Sequence, residues 1–362
     1  MKKRWWLFLL FLSSALLSAC GSRLGANSWP GVSAADGRVY VAAGPAVYAL
    51  TEDNGRFLWA FTGQDEKGFS AYAAPALSPD HTLLVVGDYG GVLYGLTPEG
   101  DVRWRFAAAE SHYVASPLVT DQAVYAPNAD GTLYALDLNG QQQWVFHAGQ
   151  PLWGAPVTDG QRLYLPSLGH HLYALNPQNG AVLWDVDLGG ALAGQPTLQD
   201  GVLYVGTFAK EIVALDAASG KILWKTPATG WVWDGPTYDP TTDTLYVGDL
   251  GGKFFALDAK TGQQRWAEQP DGAIVGRPTL ADGVLYFPTE DGALIALSVD
   301  DKPRWQYAVQ GHLYASPLLT KDHLLLAPYK GENLVIALDL DGRMQWALPV
   351  KQAEAALKAS KK

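Results

Sequence analysis

The residues best suited to chemistry lie within a few positions before a recurring proline. They are aromatic, imidazole or charged: Tyr72, His112, Tyr113, Trp153, Trp231, Trp233, Asp234, Arg277, His312 and Tyr314. Aromatic side chains beside scattered charges are typical of surfaces that recognise peptides or sugars. The same bulky groups also suit the filling of a ring-shaped fold at its centre. Recognition and packing therefore both remain open for this set.

Two histidines in this set occupy equivalent places. His112 and His312 each lie five residues before a proline, in the similar stretches HYVASPLVT and HLYASPLLT. A pair of imidazoles could ligate a metal ion, but the sequence implies no third ligand. The adjacent pair His170 and His171 is expected in a solvated turn. We assign no metal-binding residue.

Motifs for catalysis are not found in the sequence. It has no phosphate-binding glycine loop, no nucleophile elbow and no HExxH pattern. Carboxylates are plentiful, yet none is paired at a spacing that indicates an acid and a base. We assign no catalytic and no cofactor-binding residue.

A repeat determines where these side chains lie. A turn followed by a strand with a tryptophan recurs eight times, with a glycine in every turn but the seventh and separations of 39 to 45 residues between the tryptophans. This period, with its short strands and glycine turns, is typical of β-propeller blades. The tryptophans are Trp59, Trp104, Trp144, Trp184, Trp224, Trp266, Trp305 and Trp346. We expect a buried structural ring of indoles, each wedged between neighbouring blades.

Two further markers recur in step with the tryptophans. An apolar run such as VYAL (47–50) or FFAL (254–257) precedes each glycine turn, and a proline opens each repeat. The prolines are Pro30, Pro75, Pro117, Pro156, Pro196, Pro236, Pro278 and Pro317. The repeats predict an all-β fold, a single eight-bladed propeller of four-stranded antiparallel blades over residues 30–348.

The fifth repeat shows how four strands fit into one unit. Strands are predicted at 196–198, 202–205, 211–215 and 222–225, with a hairpin at Asp200-Gly201. Every repeat provides all four of its own strands, so none is left to join the last blade to the first. We therefore expect the ring to close by packing between blades, through the indoles.

The candidate residues share one face of this ring. In a four-stranded blade, the loop entering the first strand and the turn between the second and third strands lie at the same end. The turns contribute further polar and aromatic side chains: Asp88, Tyr89, His170, His171, Phe208, Lys210, Asp249, Tyr329 and Lys330. Trp231 and Trp233 flank one residue, so in an extended segment their side chains point the same way.

The first residues read as an export signal. Lys2, Lys3 and Arg4 precede an apolar run that is too short for a membrane span. The run ends in Leu-Ser-Ala-Cys, which resembles a bacterial lipobox, and Cys20 is the single cysteine of the chain. We predict a lipoprotein signal peptide at 1–19, acylation of Cys20 and a lipidated tether at 20–29. Two or more acyl chains hold a protein on a bilayer without a spanning helix.

Charge excludes one class of partner. The formal net charge is −10, and removal of the three cations of residues 1–19 changes it to −13. An acidic chain with no basic run before its last lysines is not expected to bind nucleic acid. The basic C-terminal tail, 349–362, has helical composition and is expected to form a frayed surface helix. The propeller is expected to be monomeric.

The sixth repeat, ALDAKTGQQRW at 256–266, resembles the tryptophan-docking motif of quinoprotein (PQQ-type) propeller repeats. The resemblance covers residues 30–348. Two branches of this superfamily matter. Quinoprotein dehydrogenases use PQQ and a metal ion, and several carry a disulfide of adjacent cysteines, which this chain cannot form. BamB-like lipoproteins are non-enzymatic scaffolds for outer-membrane assembly.

The resemblance implies a non-enzymatic, membrane-anchored scaffold of the bacterial cell envelope, without a cofactor, that binds envelope proteins through the candidate face. Its place would be the periplasmic side of an outer membrane, or the outer face of the cytoplasmic membrane where no outer membrane exists. A PQQ-dependent dehydrogenase is the first alternative. A glycan-binding or sensor module is the second, because tryptophans are prominent on the face.

Overall fold

The structure, a computed structural model, describes residues 29–64 and 68–360. These form 32 strands, arranged in eight four-stranded sheets, and one helix. In each sheet the four strands are consecutive in sequence and pair antiparallel with their neighbours. The predicted eight-bladed propeller is confirmed. The predicted lipobox, acylation site and most of the tether lie outside the described residues.

The first four blades contain strands β1 to β16. In chain order these are Gly31–Ala35, Arg38–Ala43, Ala46–Thr51 and Phe57–Phe61; Ala76–Leu77, Leu84–Gly87, Leu93–Leu96 and Val102–Phe106; Leu118–Val119, Val124–Pro127, Thr132–Leu136 and Gln142–His147; Val157–Thr158, Leu163–Pro166, His171–Leu175 and Val182–Asp187.

Blades five to eight contain β17 to β32, and helix α1 follows. The strands are Thr197–Gln199, Val202–Thr207, Glu211–Asp216 and Ile222–Pro227; Thr237–Asp239, Thr244–Gly248, Phe254–Asp258 and Gln264–Glu268; Thr279–Ala281, Val284–Pro288, Ala293–Ser298 and Lys302–Ala308; Leu318–Leu319, Leu324–Leu326, Asn333–Leu338 and Met344–Pro349, with α1 at Val350–Ser360. The strands predicted for the fifth repeat match β17 to β20 to within two residues at every end.

The tryptophan keeps one register in all eight blades. It pairs with a small residue of the third strand, alanine in seven blades and Gly95 in the second, and a bulge follows this pair each time. The turn between the third and fourth strands varies by one residue in length between repeats. The bulge accommodates this variation, so the tryptophan keeps the same register in every blade.

The indoles join neighbouring blades. Trp59 Nε1 donates a hydrogen bond to the carbonyl oxygen of Pro98 in the next blade at 3.0 Å, and six further indoles make the equivalent bond. A glycine four residues before the next tryptophan lies under each of these rings. A Cβ at Gly220 would lie 2.9 Å from the indole of Trp184, so only glycine allows this approach.

The seam between blades six and seven departs from this rule. Here Asp301 occupies the glycine position in the left-handed conformation, with φ 64°. Within the described part of the chain, Trp266 is the one docking indole without the interblade hydrogen bond. A residue with a Cβ therefore replaces the glycine that lies under the indole at the other seams. This seam is consequently the irregular one.

The hydrophobic core is divided among the seams. The described residues contain eight apolar clusters, and each lies between two neighbouring blades. The cluster between blades eight and one also includes Ala353 and Leu357 of α1, which are 2% and 8% exposed. The predicted C-terminal helix is confirmed, but the prediction that it is frayed is wrong. The helix packs across the seam where the two ends of the propeller meet, because its apolar positions are one turn apart.

Candidate functional site

The loops and turns at one end of the ring interlock. In blade five, the Phe208 amide donates to the carbonyl of Ala191 in the loop entering that blade, while Val232 of the next loop donates to Thr207. The same alternation of turn and loop recurs around the ring. We call this surface the funnel face. It carries the residues predicted from the sequence on a framework of backbone hydrogen bonds, which makes it rigid.

The residues three positions before the prolines alternate in size around the axis. First strands of neighbouring blades contact one another, so the loops that enter them surround the centre. Blades two, four, six and eight place Tyr72, Trp153, Trp233 and Tyr314 there, whereas blades three, five and seven place smaller residues. The smaller residues are Val114, Ala193 and Val275. Large and small residues thus alternate around the mouth of the funnel.

Trp29 completes this ring of side chains. It directly precedes Pro30, and its ring lies 5.7 Å from that of Trp233 and 5.2 Å from that of Tyr314. Trp29 was predicted to belong to the tether, but its ring packs into the funnel face. The repeat pattern did not indicate it, because the aromatic residues of the other loops lie three or more positions before the proline, whereas Trp29 directly precedes Pro30.

Trp29 connects two aromatic groups into one surface. On one side, Trp231 stacks on Phe208 with centroids 4.7 Å apart and planes 7° apart, and Trp233 lies 5.3 Å from the same ring. On the other side, Tyr314 contacts Tyr329 at 5.8 Å. We call these six residues the aromatic arc: Phe208, Trp231, Trp233, Trp29, Tyr314 and Tyr329. The arc runs from blade five through blade six and Trp29 to blade eight.

Trp231 is the accessible member of the arc. Its side chain is 47% exposed, whereas Val232 beside it is fully buried. Both Trp231 and Trp233 contact Phe208, which agrees with their spacing of two residues in an extended segment. A half-exposed indole held flat against a phenyl ring offers a large apolar contact at little entropic cost.

Lysines lie at both ends of the arc. Lys210 follows Phe208 in the same turn, with φ 62°, and Lys330 places its Nζ 5.0 Å from the centre of the Tyr329 ring. Lysine ammonium groups at an apolar surface favour carboxylates on a partner.

Two charged residues of the predicted set are engaged within the protein. The Arg277 guanidinium donates to the carbonyls of Gln195 and Gly235, the latter at 3.1 Å, and contacts the Asp234 carboxylate at 3.4 Å. That carboxylate also accepts from the backbone of Gly235 at 2.7 Å. Arg277 thereby ties blades five, six and seven together. These two groups stabilise the mouth of the funnel, which leaves little of their charge for a ligand.

A second, smaller aromatic group lies on blades two and three. Tyr89 stacks on His112 with centroids 5.0 Å apart and contacts Tyr72 at 5.2 Å. Burial lowers the pKa of His112 below its ordinary value, so its imidazole is neutral at pH 7. Tyr113 is fully buried, and burial raises its pKa far above the usual range. Tyr113 therefore belongs to the core and not to the accessible surface.

Two of the remaining predicted residues, His312 and Tyr314, are held by local bonds. The His312 imidazole contacts the Glu290 carbonyl at 2.9 Å, and the Tyr314 hydroxyl donates to the Glu290 carboxylate at 3.0 Å. Burial and that carboxylate raise the pKa of Tyr314 to about 12. Trp153 is half-buried, and its Nε1 has no partner among the described residues. Glu290 was not predicted from the sequence.

No part of the described surface has the ligands of a metal centre. Within residues 29–64 and 68–360, no group of three histidine, cysteine or acidic side chains is arranged to hold a metal ion. His112 and His312 contact different turns. Among the same residues, no helix has the length and apolar character needed to cross a membrane.

Two cavities lie at the opposite end of the ring from the funnel face. One of about 350 Å³ lies between blades three and four, beside Trp144 and Pro177. The other, of about 660 Å³, lies at the seam between blades one and eight, beside Glu52 and His323. Both are lined by surface turns, and neither contains residues predicted for the site.

The closed ring of eight tryptophan-docked blades defines a β-propeller of the quinoprotein-repeat type. The chain belongs to the family described as outer membrane protein assembly factor BamB, whose model matches residues 47–190, 168–242 and 232–302. No curated protein matches the chain in sequence.

Three solved structures share the fold. BamB from Moraxella catarrhalis superposes with a TM-score of 0.72 at 19% identity, over 84% of this chain and 92% of that one. Sqt1 from Saccharomyces cerevisiae has a TM-score of 0.72 at 13% identity, over 90% and 97%. The quinohemoprotein alcohol dehydrogenase ADHIIG from Pseudomonas putida HK5 has 0.64 at 15%, over 85% and 69%. At these identities the similarity concerns the fold.

Proposed function

We propose that this protein is a non-enzymatic scaffold of the bacterial cell envelope, anchored to a membrane through acylated Cys20, that binds an envelope protein through its funnel face. Membership of the BamB family supports the envelope role. The observation that carries the binding site is the aromatic arc, with Trp231 47% exposed on a rigid framework. Aromatic anchors of this kind dominate the binding energy of protein interfaces.

The chemistry of the face favours binding over catalysis. Among the described funnel-face residues, the charges of Asp234 and Arg277 are engaged with each other and with the backbone. Asp249 is fully buried and accepts from Thr229 and Gly230 at 2.7 and 2.9 Å. Carboxylates held in this way are structural, and lysines and aromatic rings are left for contact with a partner.

Affinity purification from native membranes tests the proposal. The full chain carrying Trp231→Ala should recover its envelope partner several-fold less well than the unaltered protein. Leu223→Ala is a matched control, because Leu223 on the outer strand β20 is 49% exposed and is also a large apolar residue. Equal recovery by both variants would contradict binding through the arc.

A sugar ligand is a second candidate, supported by the flat stack of Trp231 on Phe208. Glycan-array binding that is abolished by Trp231→Ala, with no protein recovered from membranes, would favour it. The dehydrogenase alternative predicts a bound quinone spectrum after addition of PQQ and calcium, together with alcohol-dependent dye reduction. No residue described here favours that activity.

A further inference from the structure

The position of Trp29 bears on how the propeller meets the membrane. Its ring packs between Trp233 of blade six and Tyr314 of blade eight, although Trp29 precedes blade one in sequence. The chain therefore enters the propeller at the funnel face, where the side chain of Trp29 reaches the loops of two other blades. An entry point on the outer rim or on the opposite face would need a different path for Trp29.

The number of residues before Trp29 limits the distance to the anchor. Nine residues, 20–28, separate the predicted acylated cysteine from Trp29. A fully extended chain of this length spans at most about 30 Å. The tether residues lie outside the described part of the chain, and only their number enters this bound. A propeller held at its funnel face by so short a link has little freedom to turn its opposite face to the bilayer.

We propose that Trp29 fixes the point where the tether leaves the propeller, so that the funnel face is held toward the bilayer within one tether length. The inference rests on the proposed acylation of Cys20. It implies that the partner bound by the aromatic arc presents its docking segment close to the membrane surface. In this orientation the exposed side chains of Trp231, Lys210 and Lys330 face the bilayer.

The expected partner surface follows from this placement. It is a membrane-proximal segment of an inserted envelope protein, with apolar or aromatic side chains for the arc and carboxylates for the two lysines. A partner that docks far from the bilayer would not reach the funnel face in this orientation.

Blade five provides matched positions for a test. Lys210 directly precedes β19 in the funnel-face turn, and Lys221 lies in the turn between β19 and β20 at the opposite end of the blade. The strand has six residues, so the two ends are about 20 Å apart. Acylated Cys20 has no free thiol, and a cysteine introduced at either position is then the single site for labelling.

The full-length lipoprotein with Lys210→Cys or Lys221→Cys is labelled with a fluorophore and reconstituted into liposomes that contain headgroup-quencher lipids. We expect several-fold stronger quenching for the label at position 210. Equal or reversed quenching overturns the proposal. A Gly-Ser insertion after Ser28 that more than doubles the tether should abolish the difference without affecting the fold; persistence of the difference would contradict the tether argument.

Failure of the anchor is separable from failure of the orientation. Protein that does not float with liposomes, and whose mature N-terminus has no acyl mass, refutes the proposed lipidation. Protein that floats but shows stronger quenching at position 221 refutes only the orientation. Cys20→Ala protein mixed with the same liposomes gives the background for both labels.

Discussion

The indole of Trp346 donates a hydrogen bond of 2.9 Å to the carbonyl oxygen of Glu52, 294 residues earlier in the chain. This bond joins blade eight to blade one. Gly55 of blade one lies beneath the same ring, as the equivalent glycines do at the other regular seams. Trp59 docks on blade two, so Trp346 is the indole that closes the ring. No strand of the described residues crosses this seam, and α1 covers it.

We expect Trp346→Ala to open the ring between blades one and eight. Loss of a large buried side chain costs about 3 to 5 kcal/mol of unfolding free energy. No peptide link between adjacent strands holds this seam, so amide exchange in β1 to β4 and β29 to β32 should rise first. Hydrogen exchange measured by mass spectrometry reads this directly.

Trp184→Ala is the matched control for that experiment. Its indole makes the same bond across a seam that the chain itself joins. It should lower stability by a similar amount without faster exchange in blades one and eight. Uniform exchange in both variants would show that α1 alone closes the ring.

The seam between blades six and seven should be improved by Asp301→Gly. Glycine at this position removes the cost of a left-handed residue, about 1 kcal/mol, and restores the residue that lies under the indole at the other seams, so Trp266 should gain the interblade bond. We expect a higher denaturant midpoint in urea at pH 7. Gly262→Ala, which introduces a Cβ under Trp224, should lower it. A lower midpoint for Asp301→Gly would contradict this account.

A pH dependence follows from the same seam. Burial and the neighbouring Asp301 carboxylate raise the pKa of Glu268. A raised folded pKa gives stability that is fully present below the unfolded value of about 4.3 and is lost as pH rises through the folded value. Glu268→Gln should therefore match the wild type near pH 4 and exceed it at pH 7 in unfolding free energy. A difference in unfolding free energy that does not depend on pH would refute the interaction between the Glu268 and Asp301 carboxyl groups.

Asp258 should show the opposite dependence. The Arg265 guanidinium, with further bonds from Thr261, lowers the pKa of Asp258 to about 2. Its contribution is present above the unfolded pKa of about 3.9 and is lost as pH falls toward 2. Asp258→Asn should thus be less stable than the wild type at pH 7 and equal to it near pH 2. Asp271→Asn, at an exposed residue, serves as the control. Acid unfolding followed by circular dichroism measures both.

The sequence determined the ring because its signal was repeated. Eight copies of a glycine and a tryptophan four residues apart, with one substitution at Asp301, fix the blade count and the register. The location of the funnel face was predictable, because the order of strands and loops alone places Trp231 and His312 at the same end of the ring. Pairings across the axis were not, because Trp29 and Tyr314 are brought together only by closure. The structural role of Arg277 was not predictable either, because its carbonyl acceptors belong to blades five and six and backbone carbonyls have no sequence signature.

A substitution at Arg277 tests whether this residue supports the funnel face or binds the partner itself. Arg277→Lys keeps the charge but cannot reach the carbonyls of Gln195 and Gly235 with one planar group. An unpaired buried carbonyl costs about 1 to 3 kcal/mol, so the unfolding free energy should fall by that order. Lys210→Met, in an exposed turn, should change stability little and weaken binding of an acidic partner. If Arg277→Lys instead left stability unchanged and reduced partner recovery as Trp231→Ala does, Arg277 would belong to the binding surface. The funnel mouth would then be stabilised by Asp234 and the backbone hydrogen bonds alone.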